Sequence, residues 1–323
     1  MKHMGWIVIG LIVLLAGCST KAEEETRPYR VGIVLSDAGL GDESFNDLAF
    51  NGLTKARDEL GILFDYKEVI DGNYEQQLEQ LVTEQYDAII GLGFSAQKAL
   101  TKVAKKYPQE TFILVDGQAD ASNIISITFK EHEASFLIGM LAALTSTNKQ
   151  ISFIGGEVTP VIQHFEAGYI QGARYIDKDI AIKREYANDF NNAKLGEQIA
   201  LQHMDQGADF IYHAAGFSGF GALQAAEKKG VYAAGVDTDQ FFIAENAVVT
   251  SMLKNVDQAI YQVVNDLLHN QEQQQHYELG LKEAGVGLAP LRVISAPKQY
   301  QRTLDKAKEA IIKGELIVKE EVQ

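Results

Sequence analysis

The chain has 323 residues, 46% hydrophobic and 23% charged, with a net charge of −15. This is the composition of a soluble globular protein, long enough for two lobes that each bury a core. The acidic balance excludes nucleic acid and anionic lipid headgroups as charge-matched partners, since both call for a basic surface. The single cysteine, Cys18, excludes an internal disulfide and paired-cysteine metal or redox chemistry.

In chain order, a short polar start (Lys2, His3) precedes an apolar run over 6–15 and then Leu15-Ala16-Gly17-Cys18. The run is too short for a spanning helix, which needs about 20 apolar residues. The Leu-Ala-Gly-Cys tetrad resembles the cleavage box of bacterial lipoproteins. That resemblance implies a signal peptide over 1–17, lipidation of Cys18 and a solvated tether over 18–28. A lipid on Cys18 places the mature chain on the outer face of the cell membrane.

From residue 29 onward, short apolar strands alternate with amphipathic helices. The first series predicts strands at 30–35, 62–69, 87–91, 111–115 and 123–128, with helices at 46–60, 74–85 and 95–107, the last stopped by Pro108. A second series predicts helices at 131–147, 161–176, 193–206 and 219–229, with strands at 151–154, 180–186, 209–214 and 231–235. Helices follow at 255–270 and 299–313. Such alternation predicts an α/β fold of two lobes, each a parallel sheet with helices on both faces. Ligands in open parallel sheets bind beyond the carboxyl ends of the strands. The residues at those ends are Ser36-Asp37, 91–94, Asp116-Gly117, 215–217 and Val236-Asp237.

At those positions the residues become recognisable. Asp42-Glu43-Ser44-Phe45-Asn46 resembles the DxSFN box of the basic-membrane-protein family of ABC-importer receptors, which includes purine nucleoside receptors. Further blocks match in order: 128–139 (TFKEHEASFLIG), 165–169 (FEAGY), 207–209 (GAD), 214–221 (AAGFSGFG), 235–240 (GVDTDQ), 250–257 (TSMLKNVD) and 285–288 (GVGL). Any one block is weak, but together they are specific and cover roughly 31–296. Two departures bear on base identity: the loop 37–43 is shorter than the family's, and Asp47 stands where glutamine is common.

The resemblance implies a type I periplasmic-binding-protein fold, with the ligand in a cleft between lobes joined by three crossings. The expected division is 29–128 plus 252–284 for one lobe and 129–251 plus 285–295 for the other, with a C-terminal helix in 296–323 assigned to neither. It further implies that Phe45 and Phe217 clamp a purine base from opposite lobes, that Asp237 accepts from ribose hydroxyls and that Lys254 donates to a ribose oxygen. The residues themselves leave other roles open. Either phenylalanine could belong to the core, Asp237 could cap a turn, and Lys254 could form a salt bridge. Asn46 matches a purine edge in donating and accepting, but could equally cap the helix it opens. Asp37 and Asp116 could reach base or ribose, or bond their own loops, and Gly91 and Gly93 permit close backbone approach.

Nothing in the sequence specifies catalysis. The seven histidines are scattered without metal-ligand spacing, and no GxSxG, P-loop or GxGxxG motif is present. The expected protein is therefore a non-enzymatic transport receptor without cofactor or metal, whose partners are a nucleoside such as guanosine, inosine or adenosine and the importer's permease. The alternative is a membrane-anchored regulatory lipoprotein, similar to the Med-like positive regulators of competence.

Overall fold

The computed structural model describes residues 27–69, 72–295 and 297–321. The signal peptide, Cys18 and most of the expected tether lie outside the described residues.

The first sheet has the strand order β11-β5-β4-β3-β1-β2. It comprises β1 (Arg30–Val34), β2 (Leu63–Lys67), β3 (Ala88–Leu92), β4 (Phe112–Val115), β5 (Ile124–Phe129) and β11 (His276–Leu279), all parallel. The second has the order β12-β10-β9-β8-β6-β7. Its strands are β6 (Gln150–Gly155), β7 (Ala181–Tyr186), β8 (Phe210–Ala214), β9 (Tyr232–Asp237), β10 (Val248–Lys254) and β12 (Val286–Leu288). Only β12 runs antiparallel to its neighbour. The two orders match in sequence, so the lobes are topological copies except that β12 runs opposite in sense to β11: β1 corresponds to β6, β4 to β9 and β5 to β10.

The helices are α1 (Phe45–Leu60), α2 (Tyr74–Thr83), α3 (Gln97–Lys106), α4 (Glu131–Thr145), α5 (Pro160–Ile176), α6 (Ala193–Asp205), α7 (Gly216–Lys229), α8 (Val256–Leu268) and α9 (Pro297–Ile312). In the first lobe α2 and α3 cover one face of the sheet, packing Leu78, Leu81, Leu100 and Val103 onto Val34, Ile89 and Leu114. The other face packs Ile33, Ile90 and Ile113 against α1 and α8. Strands covered on both faces must be apolar on both, which is why β3 and β4 read as unbroken hydrophobic runs.

In the second lobe α6 and α7 lie on one face and α4 and α5 on the other. Helices α4 and α5 pack with backbones nearly touching. A Cβ on Gly168 would meet the His132 carbonyl oxygen, and one on Gly172 that of Phe136. Helix α9 packs against α4 through a face that buries Leu304, Ala307 and Ile311.

The chain passes between the sheets three times: after β5, after β10 and between β11 and β12. Strand β10 remains in the second sheet through Lys254, and the next residues open α8 of the first lobe. The strands β10, β11 and β12 had no separate signal in the sequence. They are short or interrupted by polar residues, and two of them, β11 and β12, have only one neighbour in their sheet.

Candidate ligand cleft

The carboxyl ends of both sheets face one cleft. The first lobe contributes Ser36, Asp37 and Ala38 after β1, Asp42 and Phe45 at the start of α1, Gly93, Phe94 and Ser95 after β3, and Asp116 after β4. The second contributes Thr159, Val161, Ile162 and Phe165 around the start of α5, Phe190 after β7, Ala214 to Gly216 after β8, and Asp237 and Lys254 at the ends of β9 and β10.

The loop before α1 is built around Asp42. Its buried carboxylate accepts from the backbone amides of Ser44 (3.0 Å), Asn46 (2.9 Å) and Asp47 (3.2 Å), doing for α1 what a capping side chain does. Burial nonetheless pushes its pKa up, against these hydrogen bonds. The Asn46 side-chain oxygen accepts from the Ser36 amide (2.9 Å), and its Nδ2 donates to Asp42 Oδ2 (2.8 Å). These bonds clamp the loop after β1 to α1 and so set the position of Phe45.

Lys254 is the centre of charge. Its side chain is 2% exposed, and its amine lies 2.5 Å from Asp116 Oδ2 and 3.0 Å from Glu131 Oε1. The rings of Phe129, Phe45 and Phe165 surround it at 5.0, 5.1 and 5.6 Å. Burial alone would lower the lysine's pKa, but Asp116, Glu131 and Asp237 together raise it, so the amine stays charged. Asp116 is pushed up to about 6, by burial first and against the pull of Lys254. Its Oδ1 is buried and accepts no hydrogen bond. Burial likewise raises Asp237, whose Oδ2 accepts from Ser44 Oγ across the cleft at 2.5 Å. Asp116 and Asp237 occupy equivalent places after β4 and at the end of β9. Both are held in the left-handed region, with φ of 60° and 63°.

The expected site residues divide. Phe45, Asp37, Asp116, Asp237, Lys254 and Gly93 line the cleft. Gly93 has φ of 90°, and a Cβ there would approach the Phe45 ring at 3.6 Å. Three do not line it. Asn46 is fully buried and its polar atoms bond Ser36 and Asp42, so it shapes the wall without forming it. Gly91 lies within β3, where its missing side chain makes room for Leu100. Phe217 is the substantive correction. Helix α7 begins at Gly216, three residues earlier than the sequence suggests, which stacks Phe217 on Phe220 one turn along (5.4 Å, 27°). The second lobe presents Phe165 and Phe190 instead. Phe190 follows β7 in a polar stretch (Asn188, Asp189, Asn191, Asn192), where a lone aromatic among loop residues was the available signal. Its ring lies against Gly156, where a Cβ would come within 2.2 Å. Glu131, buried behind Lys254, lies in the matched block 128–139 but was not singled out within it.

Residues 30–322 match the family model described as "ABC transporter substrate-binding protein PnrA-like". The chain belongs to this family. Among curated relatives, basic membrane protein A2 of Borrelia garinii is 30% identical over 98% of this chain and 96% of its own. The CD4+ T-cell-stimulating antigen of Listeria monocytogenes is 31% identical over 79% of this chain and 80% of its own. Among solved structures, an ABC-transporter solute-binding protein from Aeropyrum pernix K1 has a TM-score of 0.83 at 26% identity, covering 90% of this chain and 94% of its own. A transcriptional activator of the comK gene from Bacillus halodurans shares the fold, with a TM-score of 0.77 at 20% identity over 89% of this chain and 99% of its own. As a PnrA-like substrate-binding protein, the chain has the two-lobed periplasmic-binding-protein fold and a solute-binding role, with a small molecule and a transporter permease as the partners the family implies. Among the described residues, no helix is long and apolar enough to cross a membrane, and no cluster of side chains forms a metal site.

Proposed function

We propose that this protein is a lipid-anchored extracytoplasmic receptor that encloses a purine nucleoside and presents it to an ABC importer. The observation that carries the reading is the free, buried Asp116 Oδ1 in a cleft walled by aromatic rings from both lobes. A buried carboxylate oxygen is stable only when a donor reaches it. Nucleoside hydroxyls or ring N–H groups are such donors, and Lys254 supplies the complementary donor to a sugar or carbonyl oxygen. Phe45 from the first lobe and Phe190 from the second would take the flat base between them, with Phe165 flooring the site, each stacked ring contributing about 0.5–1.5 kcal/mol. Drawing rings from both lobes links binding to closure.

The cleft charge narrows the ligand further. Asp37, Asp42, Asp116 and Asp237 line it against one amine, so a neutral ligand is favoured over a phosphorylated one. The test is a thermal-shift series with nucleosides, free bases, sugars and nucleoside monophosphates on refolded, ligand-free protein lacking residues 1–18. A nucleoside at about 100 times its Kd stabilises by about 2.7 kcal/mol, several degrees in Tm. The shift is expected to vanish in Phe45→Ala, Phe190→Ala and Asp116→Asn, to persist in Phe217→Ala, and to be at least about 100-fold weaker in apparent affinity for the monophosphate. No shift with any nucleoside would end this reading.

A further inference from the structure

The buried amine of the cleft is connected to the outside of the second lobe. Glu131 opens α4, and its two carboxylate oxygens face different cations. Oε1 lies 3.0 Å from the Lys254 amine, and Oε2 lies 3.4 Å from Nδ1 of His164 on α5. The Glu131 side chain is 2% exposed, whereas that of His164 is 27% exposed. Beyond His164 comes the C-terminal tail, with Glu320 Oε2 at 4.0 Å from Nε2. The tail is tied down there, because Gln171 of α5 bonds the backbone of Lys319 in both directions (2.7 and 3.0 Å). The groups facing His164 are therefore Glu131 and the edge-on ring of His132 from α4, Glu320 from the tail, and Lys254 behind Glu131, with Lys130 flanking His132. The Nδ1 of His132 is buried without a partner. Burial alone would lower the pKa of His164, but Glu131 and Glu320 outweigh it and raise it above the ordinary histidine value.

We propose that His164 is a positioning residue of the ligand cleft: through Glu131 its protonation state sets how far the Lys254 amine is available to the ligand, making affinity pH-dependent. While the imidazole is protonated, the Glu131 carboxylate is shared between two cations, and Lys254 is held less tightly away from Asp116 and the cleft. When the imidazole loses its proton, Glu131 draws on Lys254 alone and competes with the ligand for it. Affinity therefore falls as pH rises through the titration of His164. By linkage, a bound ligand raises the pKa of His164 by the same factor. The inference rests on the proposed function only in needing a ligand that accepts from Lys254.

The test uses the full chain in detergent with isotopically labelled histidine, followed by NMR from about pH 5 to 9, with calorimetry of inosine and guanosine over the same range. In ligand-free protein, Glu131→Gln should lower the pKa of His164 and Lys254→Met should raise it. Nucleoside Kd should rise about three- to tenfold between about pH 7 and 9, above the Asp116 titration at about 6, and over that span the profile should be flat in His164→Gln. Should Lys254→Met not fold, the Glu131→Gln titration carries the same decision. A His164 titration indifferent to Glu131→Gln, or a pH profile above about pH 7 that survives in His164→Gln, overturns the inference. If no nucleoside binds at any pH, the nucleoside reading fails by itself, and the ligand-free titrations still decide the coupling.

Discussion

Asp116 and Asp237 show how the two lobes build one site from the same device. Each ends an equivalent strand, Asp116 buried and Asp237 partly buried, and each has a positive φ that a non-glycine residue adopts only at a cost. The strain and the burial are tolerated because the position puts a carboxylate beyond the sheet, where a ligand can reach it. His213 on β8 is a residue of the opposite kind. It is fully buried, its Nε2 meets Gln240 Oε1 at 3.1 Å, and burial pulls its pKa down to about 4. The sign follows from linkage: the unfolded chain takes up a proton below the ordinary value near 6.5, and the folded chain does not until about 4. His213 thus supports stability above about pH 6.5, and that support is lost as pH falls toward 4, by up to about 3 kcal/mol. Urea denaturation at pH 7 and pH 4.5 should show this loss, with a smaller difference in His213→Gln.

At the scale of elements, the second lobe depends on how closely α4 and α5 approach. The contact is backbone to backbone, and it brings Glu131 and His132 beside His164. A Cβ at 172 would sit 1.8 Å from the Phe136 carbonyl oxygen, which no rotamer change relieves. Gly172→Val should destabilise the protein by at least about 3 kcal/mol through forced separation of the helices. Denaturation midpoints measure this, and a loss below about 1 kcal/mol would mean that the helices slide apart freely. The edge strands β2 and β7 are unlike the central ones: each keeps polar residues such as Asp65, Lys67, Lys183 and Arg184.

For the whole molecule, the structure has its lobes in contact across the cleft. Besides Ser44 with Asp237, the Glu43 carbonyl accepts from Thr238 Oγ1 at 3.1 Å and Gln240 Nε2 at 3.3 Å. Gln240 also bonds His213 and the Val236 amide, so the latch is rooted in the second lobe's core. These bonds exist only when the lobes are closed, so they govern release more than encounter. Ser44→Ala removes a hydrogen bond to a partly buried carboxylate and should speed ligand dissociation about tenfold with a smaller change in association. Stopped-flow fluorescence separates the two rates, and an unchanged dissociation rate would show that the latch does not hold the closed form.

The sequence by itself determined the two-lobed α/β architecture. Strand–helix alternation is a local pattern, written in most segments from residue 30 onward though not in β10, β11 and β12, and both-face burial marks the central strands. It also pointed to much of the first-lobe wall, because Asp37, Phe45 and Asp116 lie within a few residues of a strand end or a recognisable box. Only the tertiary structure decided the second-lobe wall. Phe190 and Phe217 both follow strands of the same sheet, and the choice between them turned on where α7 begins and on the space above Gly156, neither of which is a local property. The hydrogen-bond partners of Asn46 likewise lie up to ten residues away. Glu131, Lys254 and Asp116 are 123 and 138 residues apart in their pairings, and a charge cluster assembled by three chain passages leaves no periodic trace in any one of them.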